Sequence, residues 1–297
     1  MAKIKRRTTG DFFTDIIFIV ILLIIGLVCI YPIWFVLIAS ISDPSHIANG
    51  QVIIIPSGIN FDAYTEVFRN KDIWMGYRNS LIYLFSGTFI MFAITLPAAY
   101  SLSRRRLHGR RWLNFAFVIS MYVSGGLIPT YLLHKSLGWI GTPWVLLIPA
   151  GLSVYNMILA RSSFDSLPYA LYESAQLDGA SDFRFFFGFA IPLTKATLAV
   201  LFLYTGLTWW NMYMPFVIYI SKPELQSLQV VIRSITHKLT STVSQDTATT
   251  AELMEAERQK ELLKYSTVVI AAIPFCMLYP FVQKYFNKGV MVGAVKG

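Results

Sequence analysis

Charge is scarce in this chain: Asp, Glu, Lys and Arg make up 14% of its 297 residues, against 55% hydrophobic residues. Mean hydropathy is +0.56. A soluble globular domain carries roughly a quarter charged residues, so that class is excluded. Cysteine is nearly missing. Cys29 and Cys276 both fall inside apolar stretches and read as small hydrophobes, with neither a disulfide framework nor a metal pair implied. The histidines, His46, His108, His134 and His237, are scattered over separate polar connections without metal-ligand spacing. No GxxxxGK[ST] phosphate cradle occurs, so ATP is not bound here in the P-loop manner. An energy source comes from another subunit or there is none. No nucleophile–base or metal constellation supports an intramembrane enzyme.

What the chain has instead is long apolar runs. After Lys3, Lys5, Arg6 and Arg7, residues 16–41 contain no ionised side chain. That run is longer than a signal-peptide core of about 7–15 residues, so a retained first span is expected. Further spans are expected over 80–103, 112–133, 143–160, 193–220 and 265–282. The fold class is therefore all-α, a polytopic membrane protein with six transmembrane helices. Residues 1–15 form the N-terminus, 16–286 a single transmembrane domain and 287–297 a C-terminal tail. Ser124-Gly125-Gly126 and Pro129 predict a kink or break in the third span, tolerated at membrane depth only where protein or a water-filled cavity covers it.

The net charge of +9 does not point to nucleic acid, because no aromatic-basic groove pattern accompanies it. The basic residues cluster at span ends. Arg104-Arg105-Arg106 and Arg110-Arg111, the N-terminus and the tail carry Lys and Arg with almost no acids, which by the positive-inside rule places both termini on the cytoplasmic side. Away from their ends, the spans hold no Asp, Glu, Lys or Arg. Ion-coupled transporters commonly place such groups there as relays and ligands. A passive channel or secondary carrier remains an alternative, and it would show charged or polar rings within the spans.

One polar stretch between two apolar runs, residues 166–192, is different in kind. Pro168 suits the first turn of a helix and Asp178-Gly179 the turn that ends it, which predicts a short helix, a tight turn and a second helix. Ala170, Leu171, Ser174, Ala175 and Leu177 give this knuckle a mildly apolar surface, with Glu173 and Asp178 supplying charge at its edge. In the fifth span Tyr204, Thr208 and Asn211 are spaced four and three apart and share one helical face, an aromatic, hydroxyl and amide mix suited to sugar. Thr205, Trp209 and Met212 lie on the adjoining face.

The pattern ExAxxDGA at Glu173, Ala175, Asp178, Gly179 and Ala180, followed by Ile191-Pro192-Leu193, resembles the cytoplasmic EAA coupling loop of ATP-binding-cassette importer permeases. Trp210-Asn211 with Pro215, and the end from Tyr279-Pro280-Phe281 through Gly289, Gly293 and Lys296, extend the resemblance over nearly the whole chain. Gly125 to Thr130 is similar to an oligosaccharide-importing subgroup. Ser174 departs from the loop's second alanine, and Ala196 stands where relatives often have proline, which frees a backbone N–H and one rigid φ at the start of the fifth helix. The resemblance implies type I permease architecture and carbohydrate import across the bacterial plasma membrane. Its implied partners are a second permease in a heterodimer, two copies of a cytoplasmic ATP-binding subunit, an extracellular sugar-binding protein and membrane lipid. It implies no cofactor on this chain, with ATP and Mg held by the ATPase. It further implies that Glu173, Ala175, Asp178, Gly179 and Ala180 meet that ATPase, and that Gly289, Gly293 and Lys296 let the tail lie against it.

Overall fold

The computed structural model describes residues 9–241, 258, 263–274, 276, 277 and 280, with side chains described from residue 14 to 235 and at the later positions. Gly289, Gly293 and Lys296 lie outside the described residues. In chain order the helices are α1 (Thr9–Ala39), α2 (Pro44–Ala48), α3 (Asp62–Arg69), α4 (Lys71–Ser103), α5 (Arg110–Tyr122), α6 (Leu127–Ser136) and α7 (Trp144–Leu147). They continue with α8 (Val154–Asp165), α9 (Tyr169–Leu177), α10 (Asp182–Phe185), α11 (Ile191–Leu193), α12 (Lys195–Trp210), α13 (Met214–Tyr219) and α14 (Leu228–Ser241). A last apolar helix, α15, covers Leu263–Pro274. Among the described residues there is no strand.

Thr14–Ala39, Lys71–Ser103 and Trp144–Asp165 are long and apolar enough to cross a bilayer, and two bent pairs qualify if each is one span. The first pair, α5 and α6, turns through 110°. The break falls at Ser124-Gly125-Gly126, where Gly126 takes a φ of +82° that a β-carbon would strain. In the second pair, Asp182–Leu193 and α12 meet at 81°. There a single π turn (Phe186–Ala190) precedes the corner, and Thr194 Oγ1 donates to the Ala190 carbonyl at 2.8 Å. A new helix thus starts at Lys195 although Ala196 is no proline.

The chain forms two compact units, one of residues 1–70 with 235–271 and one of 71–234 with 272–297. In the first, α1 is followed by a connection tied back on itself: Trp34 Nε1 donates to the Ile54 carbonyl at 2.9 Å, and Ser57 Oγ meets His46 Nδ1 at 2.8 Å. Asp43 caps α2, and the hydrogen bonds from the Ser45 hydroxyl and amide hold its carboxyl below the usual carboxylate range.

The second unit is built on α4. Its buried positions Gly76, Ser80, Tyr83, Gly87, Met91, Thr95, Ala99 and Leu102 recur every three or four residues and form one stripe. Small residues in that stripe let neighbours come close. A β-carbon at Gly87 would lie 2.1 Å from the Trp209 ring of α12, which stacks on Tyr83 at a centroid distance of 6.3 Å. Asn156 Nδ2 of α8 donates to Thr205 Oγ1 of α12 at 3.1 Å.

Two interruptions differ from the sequence expectation of continuous spans. Between α7 and α8 the chain makes a 3₁₀ turn at Pro149–Gly151 and runs extended through Leu152 and Ser153. Thr95 of α4 mends the gap: its hydroxyl donates to the Gly151 carbonyl at 2.8 Å and accepts from the Ser153 amide at 3.2 Å. The fifth run is cut between Trp210 and Met214, because Pro215 lacks an N–H and its ring collides with the preceding turn. The segment after α13 is then clasped to α4. Asn79 Nδ2 donates to the Glu224 and Gln226 carbonyls at 2.7 and 3.0 Å, Tyr83 Oη donates to the Leu225 carbonyl at 3.2 Å, and Ser80 Oγ accepts from the Leu228 amide at 2.9 Å.

Thr95→Val keeps the shape but orphans the Gly151 carbonyl and Ser153 amide, at a cost of about 1–3 kcal/mol. A lowered thermal midpoint in detergent is expected for Thr95→Val and a near-normal one for Thr95→Ser. Equal midpoints for Val and wild type would show that the hydroxyl does not hold the break.

Candidate functional site

The knuckle consists of α9, a turn over Asp178 to Ser181 and α10. Pro168 sits one position outside α9, which starts at Tyr169. The turn is a Schellman motif: the Gly179 amide donates to the Gln176 carbonyl at 3.0 Å and the Ala180 amide to the Ala175 carbonyl at 2.9 Å. Gly179 takes a φ of +77° there. Ser181 then caps α10, its hydroxyl accepting from the Arg184 amide at 3.2 Å.

The underside of the knuckle is locked to α4 and α8. Tyr172, Ala175, Phe185, Phe186 and Ala190 share one buried cluster with Tyr100, Leu102 and Phe164. Arg104, just past the end of α4, lays its guanidinium over the rings of Tyr100, Tyr172 and Phe185 at 4.3, 4.9 and 5.5 Å from their centroids. Tyr172 is the hub. Its hydroxyl donates to Asp182 Oδ1 at 2.7 Å and accepts from Gln176 Nε2 at 2.7 Å, joining α9 to α10. Burial, then the bond to Asp182, pushes this phenol above its ordinary value of 10.0. The folded state thus favours the neutral donor, and this contribution is complete below pH 10.0 and lost only as pH rises beyond it. Nearby, Arg105 covers Tyr169 at 5.1 Å. Arg110 Nη2 reaches both carboxylate oxygens of Asp165 at 2.9 Å.

This geometry sorts the residues singled out in the sequence. Glu173, Asp178 and Gly179 are exposed and Ala180 is half-buried, all at one tip. Ala175 is 5% exposed and turns inward, so it holds the knuckle to the bundle and contributes nothing to its outer surface. The sequence pattern placed it on the wrong face because a nine-residue helix of mixed small residues defines no clear apolar stripe. The outer surface is instead made by Leu177 and Phe183, 89% and 74% exposed. Phe183 escaped notice within the aromatic run Phe183 to Phe189, and Arg104 reads in sequence only as a charge that sets topology.

In α12, Tyr204, Thr208 and Asn211 are exposed together, while Thr205 and Trp209 turn into the bundle. Leu207 shares the exposed face. The Thr208 hydroxyl donates to the Tyr204 carbonyl at 2.9 Å and Asn211 Nδ2 to the Leu207 carbonyl at 3.0 Å, so the amide finds its partner in its own helix. Tyr155 of α8 lies beside this face. Nothing in its local sequence distinguishes it.

A helical chain with apolar membrane-length helices, two broken pairs and a projecting helix-turn-helix defines a multi-pass transport protein with the type I ATP-binding-cassette importer permease fold. A crystal structure of a bacterial ABC transporter involved in the import of the acidic polysaccharide alginate matches with a TM-score of 0.83 and 29% identity, over 95% of this chain and 99% of that one. Residues 73–292 match the family profile of the binding-protein-dependent transport system inner membrane component, and the chain belongs to that family. The polygalacturonan/rhamnogalacturonan transport system permease protein YtcP of Bacillus subtilis (strain 168) is 33% identical over 93% of this chain and 96% of its own length. Protein LplC of the same organism is 34% identical over 92% of this chain and 91% of its own length. The maltodextrin transport system permease protein MdxG, also from that strain, is 27% identical over 93% and 94%. The chain is thus a transport subunit and an inner-membrane component.

A cation–π contact is worth about 0.5–2 kcal/mol, so losing one raises local opening by roughly two- to thirtyfold. Arg104→Gln is expected to speed amide exchange across residues 169–185 by an amount in that range. Unchanged exchange there would show that the guanidinium does not brace the knuckle.

Proposed function

We propose that this chain is one of two non-identical permease subunits of an ATP-driven importer that moves an oligosaccharide across the bacterial plasma membrane. It receives the sugar from an extracellular binding protein. Both termini lie on the cytoplasmic side, where the arginines between Arg104 and Arg111 also sit. Two copies of an ATP-binding subunit, which hold ATP and Mg, dock on the knuckles of the two permeases. Closure of the ATPase pair pushes the knuckles together and turns the passage from inward- to outward-facing, a bistable element biased by nucleotide.

The observation that carries this reading is Leu177 and Phe183 held out beside Glu173 and Asp178 on a knuckle whose underside is fixed by Arg104 and Tyr172. A carrier acting without an ATPase has no use for such a surface. The sugar reading is supported by the relatives named for polygalacturonan or rhamnogalacturonan and for maltodextrin transport, and by the alginate importer. It is supported too by the mixed aromatic, hydroxyl and amide face of Tyr204, Thr208 and Asn211. Gly289, Gly293 and Lys296 are assigned to a tail that lies extended against the ATPase.

Coupling is tested at the tip. Glu173→Lys reverses charge at the docking edge, and Gly179→Val forces a β-branched residue to a φ of +77°. Leu177→Asp puts charge in the apolar contact. Each is expected to abolish most sugar-stimulated ATP hydrolysis in the reconstituted importer while the permease still inserts. Normal stimulation in all three would remove the knuckle as the contact. Deleting residues 290–297 is expected to lower stimulated hydrolysis more than it lowers assembly of the complex, and equal losses would argue for a purely structural tail.

A further inference from the structure

Tyr155 and Tyr204 face each other across the α8–α12 seam, ring centroids 5.8 Å apart and planes 44° to one another. They are 49% and 53% exposed, so each keeps one ring face open. Neither hydroxyl has a hydrogen-bond partner among the described residues.

Their depth makes this unusual. Tyr155 lies eleven residues after the start and ten before the end of the membrane-length stretch Trp144–Asp165. Ten residues of α8 at about 1.5 Å each set it roughly 15 Å from the Asp165 end, and the upstream part, with its 3₁₀ and extended steps, is at least as long, so Tyr155 is well inside a hydrocarbon core about 30 Å thick. Tyrosine facing lipid sits at the membrane interface, where its hydroxyl meets water. An unpaired phenol in mid-bilayer hydrocarbon costs several kcal/mol. The outward face of α4 shows what a lipid-facing surface looks like here: Ile82, Phe85 and Phe89 are exposed, and Ser86 folds its hydroxyl back on the Ile82 carbonyl at 2.6 Å. The α8–α12 face is mixed instead, with exposed Leu152, Leu159 and Leu207 beside the two phenols. Its two open phenols continue into Thr208 and Asn211 along α12.

We propose that Tyr155 and Tyr204 form a two-ring platform in the passage on which one pyranose ring of the transported carbohydrate stacks. This rests on the sugar-import reading above. An inclined pair of aromatic faces offers C–H contact to a sugar ring, and the two hydroxyls hydrogen-bond the substituents at its edge. The splayed angle admits a puckered ring where parallel rings would close on each other. Thr208 and Asn211 lie one and two turns further along α12 and meet the next sugar residue, which suits an oligosaccharide better than a monosaccharide.

The test uses the complete importer in liposomes, loaded with its binding protein, and measures uptake of maltotetraose, galactotetraose and tetragalacturonate. The wild type is expected to transport at least one of them. Failure on all three would sink the sugar reading and the platform with it. For the sugar that is carried, Tyr155→Leu combined with Tyr204→Leu is expected to raise KM at least tenfold, and Tyr155→Phe combined with Tyr204→Phe by no more than about threefold, since the rings remain. Phe89→Leu on the lipid-type face of α4 is the control and is expected to leave KM unchanged. A normal KM in the leucine pair overturns the platform while leaving sugar import intact. Equal losses in the phenylalanine and leucine pairs would assign the effect to the hydroxyls instead of stacking and also overturn it. So would loss of the second permease from the purified leucine variant, which would make the pair a subunit interface.

Discussion

Backbone polar groups inside a bilayer have no water to turn to, and this chain interrupts its apolar helices repeatedly. The structure depends on how those freed groups are satisfied. In the second unit the answer is one helix. Thr95 bridges the carbonyl and amide opened between α7 and α8, and Asn79, Ser80 and Tyr83 clasp the irregular segment from Glu224 to Leu228. Each donor or acceptor lies on the buried stripe of α4, so the same face that packs the bundle also completes its backbone hydrogen bonding. Breaks that would be ruinous on the lipid side become affordable against this helix.

The knuckle is a second case of a local shape held from below. Its turn closes by a Schellman motif that needs only Gly179, yet its orientation comes from elsewhere. Arg104 sits over three aromatic rings from α4, α9 and α10, and Tyr172 ties α9 to Asp182. A charge that would be costly to bury is sheltered by ring faces while its outer edge stays open. The result is a short exposed tip on a base held by three rings and a tyrosine bridge.

Much of this was legible in the residues. Pro168 and Asp178-Gly179 bracket α9 because their backbone preferences act locally. Ser124-Gly125-Gly126 marks the break between α5 and α6 for the same reason. The gap at Pro149–Gly151 was not legible, since those residues lie in an apolar run and the group that stabilises the gap, Thr95, is remote in sequence. Helix α4 begins at Lys71, well before the apolar run, because a helix end outside the hydrocarbon tolerates Lys71, Asp72 and Arg78. Ala175 turned inward against expectation, because packing with Phe185 and Tyr100 decides the rotation of so short a helix as α9, and the outward Phe183 was not singled out at all. Tyr155 becomes conspicuous only when α8 and α12 are seen side by side.

Helix α4 is 33 residues long and continues through Pro97. At about 1.5 Å per residue it is a rod of roughly 50 Å. One end grips the segment Glu224–Leu228 through Asn79, Ser80 and Tyr83, and the residue just past the other, Arg104, grips the knuckle. Both segments are thus fastened to one continuous helix. Thermodynamic reciprocity then governs any coupling between the two grips. Where a ligand at one grip changes affinity at the other by some factor, the second must change the affinity of the first by the same factor.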